Sequence, residues 1–338
     1  MHTDLRRYHR QMMFQHIGDS GQEKLLEKNV LIVGCGALGS SIAEMLVRAG
    51  VGNLTIIDRD YVDLTNLQRQ HLFTEEDVLN HTPKVIAAKQ QLNKINSQVN
   101  IEAVVLDANP NSLEPYLNNI DLVMDATDNF DIRFVINDLC QKYEIPWIFG
   151  ACVGSAGMSY TILPKKTPCM DCLLKVTPMF GATCDAVGVI GPAVQVVVSY
   201  QVTEALKLLV EANDKLRTTL ILFDLWQNQF QSIDVTKAKD ANCKSCGDNQ
   251  TYPSLDYANQ QKVAVLCGRD TVQIRGKQFE LNELAIHVQK FGEMVMNPFL
   301  IRLKLEEHEM VFFQDGRVFV HGTNSIASAK KLYYQIVG

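Results

Sequence analysis

Short apolar runs alternate with amphipathic stretches over the first half of the chain. Apolar strands joined by helices are typical of a parallel sheet that is covered on both faces. The pattern therefore predicts an α/β fold of the doubly wound, Rossmann-like class, whose ligands bind at the carboxyl ends of the strands. The predicted strands are residues 30–33, 54–58, 101–106, 122–125 and 147–150, and the predicted helices are residues 38–49, 84–93 and 133–143.

The pattern changes beyond residue 152. A strand at 158–163 and a long amphipathic helix at 195–210 precede two further strands, 220–225 and 229–235, which are close enough in sequence to pair antiparallel. The segment 177–192 is rich in turn residues and is predicted to be a loop. The predicted sheet is therefore mainly parallel, with an antiparallel extension.

A polar stretch at 248–254 predicts a linker between two domains, residues 1–250 and residues 251–338. In the second domain we expect a small α+β fold, with a hairpin turn at Asp315-Gly316 and a closing helix at 325–337. Its predicted strands are 263–267, 299–305, 310–313 and 318–321.

The composition limits the classes of protein that fit this chain. Its 338 residues are 46% apolar, which is enough for large cores, and its net charge of −6 disfavours a nucleic-acid binder. With no apolar run of roughly 18 residues and no apolar core of a secretory signal, we expect neither a membrane span nor export. Nine cysteines, four of them in two Cys-x-x-Cys pairs, favour metal or thiol chemistry in a reducing cytoplasm.

A glycine turn, Gly34-Cys35-Gly36-Ala37-Leu38-Gly39, joins the first predicted strand to the first predicted helix. Glycines at these positions allow a tight turn and let backbone N–H groups approach a phosphate at the helix N-terminus. Asp58 ends the next strand, where a carboxylate hydrogen-bonds the ribose of a nucleotide. The turn predicts a nucleotide site but does not choose among NAD, FAD, SAM and ATP.

Polar residues at the same end of the predicted sheet favour ATP. They are Asn66, Arg69, Lys84, Asp128 and Asn129. Splitting ATP needs cations beside the phosphates and a carboxylate for Mg²⁺, whereas a redox cofactor needs neither. The Thr82-Pro83 pair predicts a helix start that places Lys84 in the first turn. The alternative is that Arg69 and Lys84 are ordinary surface charges.

The cysteines form two kinds of candidate site. Two Cys-x-x-Cys pairs supply four thiolates, as a closed, structural Zn²⁺ site requires, and redox dithiols are the weaker alternative. The four candidate ligands are Cys169, Cys172, Cys243 and Cys246. Cys184 lies in a glycine-rich segment and is a candidate reactive thiol, or an incidental loop cysteine.

Several motifs occur along the chain in a single order. They are Arg7-Tyr8-x-Arg10-Gln11, the glycine turn, Val51-Gly52-x-Leu54, Asn66-Leu67-Gln68-Arg69-Gln70, Pro83-Lys84, Asp125-x-Thr127-Asp128-Asn129, both cysteine pairs and Thr183-Cys184. In this order, residues 5–247 resemble the MoeB/ThiF family, the bacterial relatives of ubiquitin-activating enzymes. The first domain would then be an ATP-binding adenylyltransferase domain with a zinc site.

The resemblance implies a reaction and a protein partner. The family joins the AMP of ATP to the C-terminal glycine of a small ubiquitin-like sulfur-carrier protein that ends in Gly-Gly, and releases pyrophosphate. We expect the carrier to be the small subunit of molybdopterin synthase, in molybdenum cofactor biosynthesis. The carrier of the thiazole (thiamine) pathway is the alternative, because both carriers present the same tail.

The resemblance also implies roles for individual residues. Those that would bind Mg-ATP are Gly34, Gly36, Ala37 and Gly39 in the turn, Asp58 at the ribose, Asn66, Arg69 and Lys84 at the triphosphate, and Asp128 with Asn129 at Mg²⁺. Arg10 would reach into the site of a partner subunit, which makes a homodimer obligatory. Cys184 matches a cysteine that some relatives use for acyl transfer.

The chain departs from the family pattern in two places. Ala37 stands where shorter members have glycine, a change that leaves its backbone N–H available. Those members also end soon after the second cysteine pair, so we expect the remaining residues, about 85 and enough for a small domain, to bind a partner or support a dimer.

Two functions from other classes remain open on the sequence. An NAD(P)-dependent oxidoreductase would use the glycine turn and Asp58, but no catalytic His, Lys or Tyr group stands out. A non-catalytic scaffold, like the inactive halves of eukaryotic relatives, would typically lack Arg69 and Lys84.

Overall fold

The structure is a computed structural model that describes residues 5–175, 188–256, 263–266 and 270–337. The chain divides into two compact units, one within residues 1–257 and the other from residue 258 onward. Each unit has its own sheet and its own hydrophobic core. No helix in these ranges combines the length and the apolar character that a membrane span requires.

The first unit is built on one mixed sheet. Its strands are β1 (Asn29–Val33), β2 (Asn53–Asp58), β3 (Asn100–Val105), β4 (Leu122–Asp125), β5 (Trp147–Val153), β6 (Ala156–Ile162), β7 (Thr219–Asp224) and β8 (Gln229–Asp234). Their order across the sheet is β3-β2-β1-β4-β5-β6-β7-β8. The strands from β3 to β5 pair parallel, and β6 to β8 continue antiparallel. The predicted fold class is confirmed, and the order reverses between β1 and β4, which leaves a crevice at their carboxyl ends.

Helices cover both faces of this sheet. They are α1 (His9–Met12), α2 (Gly18–Glu27), α3 (Ala37–Ala49), α4 (Glu75–Leu79), α5 (Lys84–Ile95), α6 (Pro110–Leu113), α7 (Phe130–Lys142), α8 (Met170–Leu174) and α9 (Gly191–Leu209). On one face, α3, α5 and α9 share a core with Ile32 of β1. On the other face, α7 shares a core with Val33 and Trp147. Neighbouring residues of β1 enter opposite cores, so the strand is apolar from Val30 to Val33.

One predicted helix cap and one predicted helix start differ from the structure. Helix α5 begins at Lys84, because Pro83 keeps an extended backbone with a ψ of 137° and occupies the cap position that the sequence assigned to Thr82. Lys84 is still in the first turn. Helix α9 begins at Gly191, before the predicted residue 195, because Pro192 lies in the first turn, where its missing N–H is tolerated. Residues 177–187 of the predicted loop lie outside the described residues.

The second unit is an antiparallel sheet packed against helices. Its strands are β9 (Val263–Leu266), β10 (Thr271–Arg275), β11 (Glu293–Met296), β12 (Leu300–Lys304), β13 (Glu309–Phe313) and β14 (Arg317–His321), and its helices are α10 (Leu281–Val288) and α11 (Ile326–Val337). The strand order is β11-β12-β13-β14-β10-β9. Both helices contribute to one core with Phe312 and Val320. Gly316, with a φ of +89°, makes the predicted turn between β13 and β14.

Candidate functional site

Two glycines of the turn after β1 are required by packing, and one is not. A Cβ atom at Gly34 would lie 2.5 Å from Ala126 O, and a Cβ atom at Gly39 would lie 2.0 Å from Gly34 O. At Gly36 the nearest atom to a Cβ would be Gln70 Nε2, at 3.8 Å. The space over Gly36 is therefore open, as an approaching ligand requires.

The N-terminus of α3 faces this open space. Gly36 is its cap residue, and no side chain caps the helix. The first N–H groups of a helix have no partner within the helix, and they lie at the positive end of its dipole. Ala37 is the first helical residue, so its side chain does not remove a donor. The turn can bind a phosphate through backbone N–H groups.

Asp58, at the end of β2, lies directly beside the turn. Its Oδ2 accepts a hydrogen bond from Cys35 N at 2.6 Å, and its Oδ1 accepts one from Asp60 N at 2.7 Å. Burial raises the pKa of Asp58, while the positive charge of Lys84 lowers it and the negative charge of Asp60 raises it. The carboxylate is thus fixed at the edge of the glycine turn. If the turn bound the phosphates of a nucleotide, the adjoining ribose would lie beside this carboxylate.

Lys84 is buried and paired with Asp60. Only 3% of its surface is exposed. Its Nζ donates to Asp60 Oδ2 at 3.1 Å, and its backbone N donates to Asp60 O at 2.9 Å. Asp60 therefore connects the start of α5 to the end of β2, and it connects Lys84 to Asp58. The sequence analysis did not identify Asp60, although a second acid two positions after Asp58 was a visible signal.

Arg59 is a second residue that the sequence analysis missed. Its Nη1 lies 3.1 Å from Asp107 Oδ1, beyond the end of β3. Burial opposes its charge, but Asp107, Asp60, Asp128 and Asp58 together raise the pKa of Arg59. Asp128 is therefore within electrostatic reach of the residues that follow β2, although it lies on the loop after β4.

Asn66 and Arg69 lie in the loop that follows β2. Asn66 is buried, and its Oδ1 accepts from Asp63 N at 3.1 Å, so it stabilises a short 3₁₀ turn. Arg69 is half-buried and donates from Nη1 to Thr65 O at 2.9 Å. Among the described residues its guanidinium has no carboxylate partner. Of these two residues, Arg69 keeps its charge available for a ligand.

A buried ion pair fixes the loop after β4. Arg133 Nε lies 3.0 Å from Asp125 Oδ2, and Arg133 Nη2 donates to Gly150 O at 3.2 Å. Asn129 caps α7 by accepting from Asp131 N at 2.8 Å, a structural role. Asp128 is exposed at the crevice end of the same loop and can hold a cation. The sequence analysis missed Arg133, because its partner Asp125 reads as the end of a buried strand.

An open groove lies beside α3. It has a volume of about 570 Å³, and its lining residues are Gln68, His71, Val189, Ile190, Gly191, Pro192 and Gln195. Gln195 Nε2 donates to Ser41 Oγ of α3 at 2.9 Å. The groove therefore runs between the loop that carries Arg69 and the N-terminus of α9.

The four predicted zinc ligands come together. Their sulfur atoms all lie within 4.8 Å of one another, and all four residues are buried. Cys169 Sγ is 3.6 Å from Cys243 Sγ, and Cys172 Sγ is 3.5 Å from Cys246 Sγ. In a tetrahedron with Zn–S distances of about 2.3 Å, neighbouring sulfurs are about 3.8 Å apart. The donor set and the spacing therefore fit Zn²⁺, and four protein ligands leave no open position for catalysis.

This cysteine cluster is attached to α7. Met170 N donates to Asn137 Oδ1 at 2.9 Å, and Ser254 N donates to Asp138 Oδ2 at 2.8 Å. Burial raises the pKa of Asp138. The segment predicted as a linker is thus held to the first unit at Ser254.

Arg10 is not brought to the glycine turn of its own chain. Near it, Tyr8 Oη accepts from Asn96 Nδ2 at 2.8 Å, and Gln11 Nε2 donates to Ala49 O at 2.9 Å. Asn96 and Ala49 are at the C-terminal ends of α5 and α3, whereas the turn is at their N-terminal ends. Helices of this length separate their ends by about 18 Å. Arg10 is exposed at the far end, and Cys184 lies outside the described residues.

A sequence model of the ThiF family matches residues 8–245, which include the turn, the cation-bearing loops and the first cysteine pair. The chain belongs to the ThiF family. The resemblance inferred from the motifs is confirmed.

Two relatives of this ThiF-family chain are named as adenylyltransferases of a sulfur-carrier protein. One is the "Sulfur carrier protein ThiS adenylyltransferase" of Bacillus subtilis (strain 168), which is 46% identical over 336 residues, 98% of this chain and 99% of the relative. The protein of the same name from Escherichia coli (strain K12) is 36% identical over 251 residues, 74% of this chain and 98% of the relative. Only the first of these two matches extends over nearly the whole chain.

A solved structure has a similar fold. Escherichia coli MccB, crystallised with MccA-N7isoASN, matches the ThiF-family chain with a TM-score of 0.63 and 24% identity, over 72% of this chain and 76% of MccB. At this identity the similarity shows the shared fold alone.

Proposed function

We propose that this adenylyltransferase transfers AMP from ATP to the C-terminal glycine of a ubiquitin-like sulfur-carrier protein and releases pyrophosphate. One observation carries the proposal: an open glycine turn has a buried lysine and, in the loops beside it, an arginine with no carboxylate partner among the described residues. A site that consumes a triphosphate needs cations beside the phosphates, and a site that only holds a dinucleotide does not.

We propose the carrier of the thiazole pathway as the substrate. The relative that matches nearly the whole chain is named for ThiS. The expected molybdopterin carrier has less support, because this relative is named for the other carrier. The site residues themselves do not distinguish the two, since both carriers present a Gly-Gly tail. The groove beside α3 is open enough for an extended tail, and the amide side chains of Gln68 and Gln195 can hydrogen-bond its backbone.

The reaction needs charge stabilisation and positioning. The terminal carboxylate of the carrier is ionised near pH 7, so it attacks the α-phosphorus without a general base. A new P–O bond forms as the bond between the α-phosphorus and its bridging oxygen breaks, and pyrophosphate leaves with that electron pair. Lys84 and Arg69 would stabilise the negative charge on the phosphates, and Asp58 would fix the ribose. Asp128 would hold Mg²⁺, which when bound neutralises phosphate charge.

We propose that Arg10 acts in the site of a second subunit. Its place at the far ends of α3 and α5 makes it too distant from the turn of its own chain. A homodimer that brings the N-terminal segment of one subunit to the crevice of the other would complete both sites. Cys184 remains a candidate for later acyl transfer, and adenylylation itself does not require a thiol.

An NAD(P)-dependent oxidoreductase has less support. Asp58 and the glycine turn would serve such an enzyme, but Lys84 and Arg69 would have no role in it. The non-catalytic scaffold is disfavoured by the same two residues. The cysteine cluster is proposed as a structural zinc site that takes no part in the reaction, because four protein ligands leave no open position on the metal.

The test is carrier-dependent exchange of pyrophosphate into ATP. We expect exchange with ThiS ending in Gly-Gly, and weaker exchange with the small subunit of molybdopterin synthase. A ThiS variant without its last glycine is the matched control. Exchange with the molybdopterin carrier alone would reassign the pathway, and exchange with neither carrier would contradict the proposed function.

A further inference from the structure

The sheet of the first unit opens between the carboxyl ends of β4 and β5. The pairing of these two parallel strands stops at Met124 and Ile148. Strand β4 stays paired with β1 as far as Asp125, and β5 stays paired with β6 as far as Val153. The opening lies where β4 passes into the loop that carries Asp128. Backbone groups that a continuous ladder would pair therefore need other partners here.

A buried glutamine of α9 bridges this opening on one face of the sheet. Gln201 is fully buried. Its Nε2 donates to Asp125 O at 2.8 Å and to Ile148 O at 3.2 Å, which is one acceptor on each strand. Its Oε1 is buried without a hydrogen-bond partner in the described ranges, a cost that an apolar side chain would avoid. One amide nitrogen thus replaces the missing ladder and sets the distance between the strands.

The chain makes room for this amide at Gly150 of β5. A Cβ atom at Gly150 would lie 2.4 Å from Gln201 Cδ and 2.6 Å from Gln201 Nε2. Glycine inside a strand is typical of a place where another group approaches closely. The position of the amide is therefore fixed by its two acceptors and by the backbone of β5.

Arg133 of α7 bridges the same opening from the other face of the sheet. Its Nη2 donates to Gly150 O at 3.2 Å and to Thr127 O at 2.5 Å. Thr127 directly precedes Asp128 in the loop. The glycine that contacts Gln201 is thus connected, through one guanidinium, to the loop that would hold Mg²⁺.

We infer that Gln201 is a positioning residue, which bridges β4 and β5 and thereby fixes the place of Asp128 for Mg²⁺. The inference rests on the proposed function for the role of Asp128. Mg²⁺ requires nearly ideal octahedral geometry, so a small displacement of one ligand weakens its binding. Gln201 itself is buried between α9 and the sheet, and it acts through the loop.

The experiment measures ATP binding by calorimetry, with Mg²⁺ and with a chelator in its place, in variants of the full chain. Gln201→Met keeps the volume but removes both hydrogen bonds. Gly150→Ala displaces the amide without removing a polar side chain. In both variants we expect the gain in ATP affinity on adding Mg²⁺ to fall about fivefold, while binding in the chelator stays within about twofold of the wild type.

Asp128→Asn determines whether Gln201 acts through Asp128. We expect Asp128→Asn to lower the Mg²⁺-dependent gain at least as much as Gln201→Met does. The double variant should then lose no more than Asp128→Asn alone, because a displaced ligand that is already absent has no further effect.

Gln22→Met is the matched control. Gln22 is also fully buried, and its Nε2 donates to a backbone oxygen, Ala49 O, at 3.0 Å. Ala49 ends α3, at the far end of that helix from the glycine turn. We expect Gln22→Met to unfold at a lower temperature, as Gln201→Met does, and to keep the Mg²⁺-dependent gain of the wild type.

Several outcomes would overturn the inference. They are an unchanged gain in both Gln201→Met and Gly150→Ala, additive losses in the double variant, an equal loss of ATP binding with and without Mg²⁺, and a wild-type chain without any gain. Failure of both variants to fold would assign Gln201 a structural role, and if Gln201→Met alone fails to fold, Gly150→Ala decides. Wild-type chain that shows the gain but no exchange with any carrier would contradict the proposed function and leave the inference standing.

Discussion

Replacing Lys84 by methionine separates the structural and the chemical roles of one buried cation. Lys84 Nζ lies 3.1 Å from Asp60 Oδ2, and the two side chains are 4% and 17% exposed. Two unit charges at this distance attract by about 5 kcal/mol at an effective dielectric constant of about 20. Removing one partner of a buried pair costs about 3–5 kcal/mol. Because Asp60 keeps some solvent contact and has Arg59 nearby, we expect Lys84→Met to lower the free energy of unfolding by about 3 kcal/mol at neutral pH.

The loss of stability should depend on pH, with a definite sign. Burial raises the pKa of Asp58 in the folded chain, and Lys84 opposes that rise. A carboxyl group with a raised folded pKa favours folding below its unfolded pKa, and this contribution disappears as the pH rises through the folded pKa. Without Lys84 the pKa of Asp58 rises further, so the destabilisation should be largest at neutral pH and should shrink towards pH 4.

The assay is urea unfolding of four proteins at several pH values between 4 and 7.5. The wild type, Lys84→Met, Asp60→Asn and the double variant form a thermodynamic cycle. The double variant should regain most of the stability, because the Asp60 carboxylate that paired with Lys84 is gone, yet it should still lack pyrophosphate exchange. A destabilisation below about 1 kcal/mol, a loss independent of pH, or simply additive effects of the two substitutions would refute the reasoning.

Three further predictions concern other parts of the molecule. Arg69→Ala should reduce exchange at least about a hundredfold while thermal unfolding stays nearly unchanged, because within the described ranges the Arg69 side chain makes one hydrogen bond; a parallel loss of stability would point to a structural role. Metal analysis should find one zinc per chain, and Cys172→Ser should lower the unfolding temperature; a wild-type chain free of zinc with four reactive thiols would contradict the site. Mixing inactive Arg10→Ala with inactive Lys84→Met should restore activity, because some mixed dimers contain one intact site; no recovery in dimers shown to exchange subunits would place Arg10 outside the partner's site.

The parallel part of the sheet was predictable because strands that are buried on both faces have apolar residues at successive positions. Runs such as 30–33 and 122–124 are apolar throughout, and both lie in strands of the sheet centre. Helix α2 gave no comparable signal, because tertiary contacts fix it. Gln22 is fully buried and donates to Ala49 O at 3.0 Å, a partner that sequence spacing does not reveal. In the second unit, β10, β11 and α10 were missed, since short elements have too few positions to establish a period.

Residues of the candidate site were predictable where the end of a predicted strand or the start of a predicted helix identifies their position. Asp58 and Lys84 were identified because a strand end and a helix start place them. Arg59 was not, since Asp107, which holds its guanidinium, lies 48 positions away. Asn66 was assigned to the triphosphate from its motif, and in the structure its side-chain oxygen stabilises the turn of the loop. Gln70 stands in the same motif, and the sequence does not reveal that it is buried and that its side-chain oxygen has no hydrogen-bond partner in the part of the chain that the structure describes.

The cysteine cluster joins two segments that leave the ribosome at very different times. Cys169 and Cys243 are 74 positions apart, and helix α9 and strands β7 and β8 are synthesised between them. A four-thiolate site therefore cannot form until almost the whole first unit has been translated. In zinc-starved cells, newly made chains would carry every residue of the proposed reaction and still fail to accumulate as folded enzyme.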